Sequence, residues 1–212
     1  MERRLRSFPD KEGKIGAKMI LVVDMNCRKD SLGFYEFVLP LVTLTSESGK
    51  SRVRHFTELT SADINECSSI ILSGTPLKDN ATLSQPEKFE WIKTLEKPLL
   101  GICAGMQTIG LAFNLALIRC LAIGMTQITT LKPNPLFSGK FKAYALHNFS
   151  VTPSNEFEAL AESKQCVHAL KHKQRDIYCV LFHPEARNKE IIERFVHMFR
   201  ATEGYNTHTN QK

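Results

Sequence analysis

Pro98-Leu-Leu-Gly101-Ile-Cys103-Ala104-Gly105-Met106-Gln107 is the stretch on which the fold turns. An apolar run, 98–102, leads straight into a cysteine, and a helical pattern begins at once and continues to about Asn114. Gly101 and Gly105 stand two residues before and two residues after Cys103. This is a nucleophile-elbow pattern with Cys in place of Ser: the strand-to-helix turn is tight, and small flanking residues relieve its crowding. A side chain on such a turn projects from the carboxyl edge of the sheet, where open α/β folds place ligands. The helix start behind Cys103 favours a thiolate, and it leaves the Ala104 N–H free to face a developing oxyanion. A buried core thiol is the competing reading of the same residues.

The flanking sequence alternates in the same way. Met19–Asp24 is an apolar strand; 33–44 reads as a helix interrupted by Pro40; 52–56 alternates like a half-buried strand. Thr60 can cap a short helix through Glu66. Ser69–Leu72 is a strand ending in the turn Ser73-Gly74-Thr75-Pro76, and 86–95 predicts a helix with Phe89, Ile92 and Leu95 on one face. Repeated β-α order with fully apolar strands predicts a parallel sheet covered by helices on both faces. From Met125 to Leu181 the pattern shifts to short strands at 126–131, 141–145, 149–152, 157–161, 166–171 and 177–182, followed by a helix at about 189–200. One domain is expected over 19–200. A disordered extension is expected at 1–18, where Met19 is a candidate start, and a flexible tail at 201–212.

His183 closes the apolar run 177–182 and is followed by Pro184 and Glu185. Proline stops the strand and forces a turn, so His183 is expected on the same sheet edge as Cys103. Glu185 can then bend back to fix the imidazole tautomer, as the third member of a nucleophile–base–orienter set. A surface turn with a satisfied histidine is the bland alternative. His55 is expected half-exposed, and His168, His172, His197 and His208 in polar or surface settings.

Composition narrows the function classes. The 212 residues are 42% hydrophobic and 24% charged, which suits one buried core. No apolar run reaches the roughly 18–20 residues of a membrane span. Residues 1–18 lack a secretory core, being broken by Pro9, Gly13 and Gly16, so a cytoplasmic protein is expected. The net charge of +6 raises nucleic-acid binding, but half of that excess lies in 1–18 and no basic helix stands out. Neither nucleic acid nor membrane is expected as a partner. None of the six cysteines forms a C-x-x-C pair, so zinc and thioredoxin-like redox sites are not expected, and a reducing compartment is.

Together, Gly101-Ile-Cys-Ala-Gly-Met-Gln107 and Phe182-His-Pro-Glu185 resemble the class I, triad-type glutamine amidotransferases over roughly 19–200. The resemblance implies a flavodoxin-like α/β fold: a mostly parallel central sheet, helices on both faces and a small antiparallel region. It implies that Cys103, His183 and Glu185 hydrolyse L-glutamine through a γ-glutamyl thioester, with no metal and no cofactor. Ser73-Gly74-Thr75-Pro76 is similar to the family's oxyanion turn, which places the backbone N–H of Thr75, where glycine is usual, beside that of Ala104. Gln107 matches a substrate-contacting glutamine, and Leu146-His147-Asn148-Phe149 resembles the segment holding the amino acid end of the substrate, through Asn148 and Phe149. The chain is also similar to stand-alone GMP synthase glutaminase subunits, although Asp24-Met-Asn-Cys27 replaces their usual Gly-Gly-Gln turn. A separate ATP-dependent synthetase that accepts ammonia is then implied as partner, GMP synthesis first among the routes. Such glutaminases are often weak until the partner docks.

Three other readings stand beside this one. A γ-glutamyl peptide hydrolase shares the Cys and His pattern. An intracellular peptidase of related fold usually has His directly after the nucleophile, where this chain has Ala104. A non-catalytic relative that only binds a partner is left open by Thr75.

Overall fold

The computed structural model describes residues 19–199; the expected extension 1–18, the tail 201–212 and His208 lie outside them. A nine-stranded sheet runs in the order β2-β1-β3-β4-β9-β8-β7-β5-β6. Its parallel half consists of β1 (Met19–Asp24), β2 (Lys50–His55), β3 (Ser69–Leu72), β4 (Leu99–Ile102) and β9 (Ile177–Val180). The antiparallel half adds β5 (Leu117–Thr130), β6 (Lys140–Val151), β7 (Phe157–Glu162) and β8 (Val167–His172). The expected α/β architecture is present, with an antiparallel region continuous with the parallel one.

Period-two burial splits the core into two layers. Ile20, Val22, Leu100 and Ile102 face α1 (Leu39–Ser48) and α4 (Glu190–Met198). Leu21, Val23 and Leu99 face the other way, towards α3 (Ala104–Ala112) and a 3-10 helix, Pro86–Thr94. Each fully buried Leu, Ile or Phe contributes about 1.5–3 kcal/mol relative to exposure. The short α2 (Ser61–Glu66) starts with the predicted Thr60 cap, completed by Asp63 as a capping box.

Several elements differ from the sequence expectation. Phe89, Ile92 and Leu95 are buried, but on a 3-10 helix; a strict spacing of three residues suits its three-residue turn. The interrupted helix at 33–44 is a π-helical turn, Phe34–Val38, leading into α1. Pro40 follows the π-helical turn directly, inside a helix that is continuous over 32–48, and the widened turn falls where proline's missing N–H interrupts the α-helical ladder. The predicted strands 141–145 and 149–152 join into β6, and β5 starts well before 126. Leu121, Ile123 and Met125 are exposed along β5, so burial does not impose the alternation that marks a strand. Among the described residues, no helix is long and apolar enough to cross a membrane.

Candidate active site

β4 and β9 are paired in parallel, with Gly101 opposite Cys179 and Ile102 opposite Val180. Cys103 follows β4 directly, and its N–H donates to the Val180 carbonyl at 2.8 Å. His183 leaves β9 through the Phe182–Ala145 bridge, its N–H donating to the Tyr144 carbonyl at 2.8 Å. Two residues far apart in sequence therefore meet because their strands are neighbours that end on one edge.

Cys103 caps α3 with φ 48° and ψ −100°, a positive-φ conformation that costs a non-glycine residue about 1–3 kcal/mol. The flanking glycines are demanded by close approach. A Cβ on Gly105 would lie 2.7 Å from the Leu72 carbonyl oxygen, and one on Gly101 would lie 2.8 Å from the Gly105 carbonyl. The thiol is 4% exposed and donates to the Leu146 carbonyl at 3.4 Å.

His183 and Glu185 are almost completely buried, and Nδ1 of His183 donates to Oε1 of Glu185 at 2.8 Å. A carboxylate accepts only, so it sets the tautomer and leaves Nε2 for the nucleophile. Nε2 makes no full hydrogen bond within the described residues. Burial opposes the imidazolium, yet the nearby Cys103 sulfur and the bonded Glu185 carboxylate outweigh it and hold the His183 pKa well above its usual range.

The other predicted positions gather around Cys103. Thr75, Gln107, Asn148 and Phe149 line one pocket with it, while Ala104 is the buried first residue of α3. Thr75 is absent from the positive-φ residues, so threonine fits this turn without strain, and its Oγ1 donates to the Asp79 carbonyl at 3.1 Å. The pocket is narrow. Gln107 Nε2 donates to the Phe149 carbonyl at 2.8 Å, Asn148 Nδ2 donates to the Leu77 carbonyl at 2.7 Å, and about 10 Å³ remains, room for about one water.

Two further residues position the imidazole. A Cβ on Gly74 would lie 2.5 Å from His183 Cε1, so the imidazole rests against bare backbone. Phe37, from the π-helical turn, packs on the other side with ring centroids 5.0 Å apart. The Ser-Gly-Thr-Pro turn signal pointed to Gly74, but nothing in the sequence pointed to Phe37.

The remaining histidines and cysteines correct the sequence reading. His55 is buried and bonded to Asn26 and Thr57, and His172 is buried between Phe113 and Phe157. His168 is 1% exposed, not in a polar surface setting. Cys120 and Cys166 are joined by a disulfide, against the expectation of purely reduced cysteines. Ligand atoms of His147, Cys166 and His168 lie within 4.8 Å of one another, so a cluster exists that no C-x-x-C spacing announced.

Residues 42–200 match the family model described as Glutamine amidotransferase class-I. The chain is 36% identical over 147 residues to a glutamine-hydrolyzing GMP synthase subunit of Methanocaldococcus jannaschii, covering 66% of this chain and 76% of that protein. A protein of the same name from Methanococcus maripaludis is 39% identical over 134 residues, 59% of this chain and 68% of that protein. Among solved structures, one from Thermoplasma acidophilum assigned as a GMP synthase subunit superposes with a TM-score of 0.76 at 21% identity, covering 88% of this chain and 96% of that one. At that identity the likeness concerns the fold.

Proposed function

The chain belongs to the class I glutamine amidotransferase family, and from that premise we propose that Cys103, His183 and Glu185 hydrolyse L-glutamine to glutamate and ammonia. The observation that carries this reading is the arrangement at one sheet edge: a strained cysteine on a nucleophile elbow, beside a buried histidine held by a buried carboxylate.

The chemistry follows from the geometry. The Cys103 sulfur attacks the side-chain carboxamide carbon, forming a C–S bond and an oxyanion. The backbone N–H groups of Thr75 and Ala104 are the donors assigned to that oxyanion. His183, positively charged and oriented by Glu185, gives its proton to the departing nitrogen, and the C–N bond breaks to leave a γ-glutamyl thioester. Ammonia departs. His183 then takes a proton from water, which attacks the thioester; glutamate leaves, and sulfur is restored.

Glutamine does not fit a cavity of about 10 Å³. In this reading its entry displaces the Asn148–Leu77 and Gln107–Phe149 bonds, which frees Gln107, Asn148 and Phe149 to hold the substrate. The narrowness of the pocket supports a glutaminase switched on by a separate ATP-dependent synthetase that receives the ammonia. The names of the relatives favour GMP synthesis as its route. The exposed row Leu121, Ile123 and Met125 on β5 is apolar surface of the kind a partner covers. Residues 19–200 are the functional domain in this proposal.

The test is glutamate release from glutamine by the purified chain and by Cys103→Ala, each alone and together with a GMP-synthesising, ATP-dependent synthetase. Cys103-dependent release that rises with the synthetase supports both halves of the proposal. Release unchanged by Cys103→Ala overturns the assigned nucleophile.

A further inference from the structure

β5, β6 and β8 bring two cysteines and two histidines to one buried point. Cys120 sits on β5 where its register with β6 shifts, between Arg119 and Ala122. His147 is on β6, Cys166 immediately precedes β8, and His168 is the second residue of β8. All four are less than one-tenth exposed.

The histidines lack the bonds that buried imidazoles normally make. Both ring nitrogens of His168 and Nε2 of His147 are buried without a hydrogen-bond partner. Nδ1 of His147 is bonded at 2.8 Å to the backbone carbonyl of Cys120. That bond places the proton on Nδ1 and leaves the Nε2 lone pair aimed inwards, as a carbonyl behind a metal-bound histidine does. The Nε2 lone pair has no proton to receive within the described residues.

We infer that Cys120, Cys166, His147 and His168 form a tetrahedral site for a zinc-class divalent ion when the Cys120–Cys166 bond is reduced. Two sulfurs and two imidazoles make a common structural zinc set. Tetrahedral zinc holds such atoms roughly 3.3–3.8 Å apart, so the His147–Cys166–His168 group, within 4.8 Å, needs only modest contraction. The Cys120 and Cys166 Cα atoms are 6.6 Å apart.

The disulfide and the ion exclude each other. A dithiol reductant breaks the S–S bond, gives two electrons and two protons to the cysteines, and leaves as its own disulfide. The ion then displaces both thiol protons and binds two thiolates and two neutral imidazoles. His147 lies between Leu146, whose carbonyl meets Cys103, and Asn148. An occupied site would therefore tie the pocket-lining segment of β6 to β5 and β8.

The full chain is reduced with a phosphine, separated from reductant without oxygen, and titrated with Co²⁺ and Zn²⁺; parallel samples are oxidised with diamide. The expected result for reduced protein is about one tightly held ion per chain, with the thiolate-to-cobalt charge-transfer band of a tetrahedral site. Oxidised protein should lose both. Cys166→Ser and His168→Gln should weaken binding by more than the roughly 10–100-fold that loss of an outer-shell partner costs. The inference is overturned by reduced wild type that retains no more ion than oxidised protein, or by a cobalt spectrum without the thiolate band. Equal binding by Cys166→Ser and wild type overturns it too. The wild-type spectrum decides the question even where a variant does not fold, and no readout depends on glutamine hydrolysis.

Discussion

The parallel and antiparallel halves of the sheet each bury cysteine against histidine, but they surround the imidazoles differently. At the parallel edge, Glu185 accepts from His183, and this carboxylate together with Cys103 keeps the imidazolium favourable against burial. In the antiparallel half no carboxylate among the described residues acts on His147 or His168. Burial pushes His168 down to about 3 and His147 to about 4, with the His183 charge adding to the effect at His147. A histidine with a buried carboxylate holds a second proton and can deliver it; one without stays neutral and offers the lone pair of one ring nitrogen. The same residue types therefore suit acid–base chemistry at one site and ligand chemistry at the other.

The comparison breaks most readily at Cys103. Cys103→Ala should lower glutamate release by more than about 10⁴-fold, because the remaining triad members act through the nucleophile. A small loss would mean that the parallel edge is no more catalytic than the antiparallel cluster. Glu185→Gln comes next, with a loss of about 10²–10⁴-fold in kcat. It also sharpens the contrast through pH. Glu185 raises the His183 pKa, so its removal lowers that pKa. The alkaline limb of kcat/KM, where the imidazolium loses its proton, should then move to lower pH; a limb that stays in place would detach Glu185 from His183.

The two halves were also unequally legible in the sequence. The Cys103–His183 edge could be read because each part is a local signal: an apolar strand, a glycine-flanked cysteine, and a proline stopping the strand at His183. The topology only had to place β4 beside β9. The Cys120–His147–Cys166–His168 cluster depends on register across three antiparallel strands and on a shift after Arg119. Neither leaves a short-range pattern. The part of β5 ahead of 126 leaves no readable pattern for a related reason, since its large apolar residues Leu121, Ile123 and Met125 lie on the exposed face. The type of the helix at 86–95 is not legible in the sequence, because its apolar spacing fits both periods over so short a span.

Gly74 tests how closely the parallel edge is built. An added methyl would lie 2.5 Å from His183 Cε1 and must push the ring, whose other neighbour is Phe37. A displacement of about 1 Å near reacting groups costs on the order of 10²-fold, so Gly74→Ala should lower kcat by about that much. Circular dichroism should stay unchanged, because the glycine has no positive φ and ends no helix.

The smallest effect belongs to Thr75, the position where this chain departs from the usual glycine. Its backbone is not left-handed, and its hydroxyl is tied to the Asp79 carbonyl at 3.1 Å. The donor assigned to the oxyanion is the backbone N–H, which any residue other than proline supplies. Thr75→Gly keeps that donor but loosens the turn, so kcat should fall by less than about tenfold, far short of the 10²–10³-fold that loss of an oxyanion donor costs. Thr75→Pro removes the N–H and should reach that larger range. Equal losses in the two variants would show that the hydroxyl anchor to Asp79, and not the backbone N–H, is what this turn contributes.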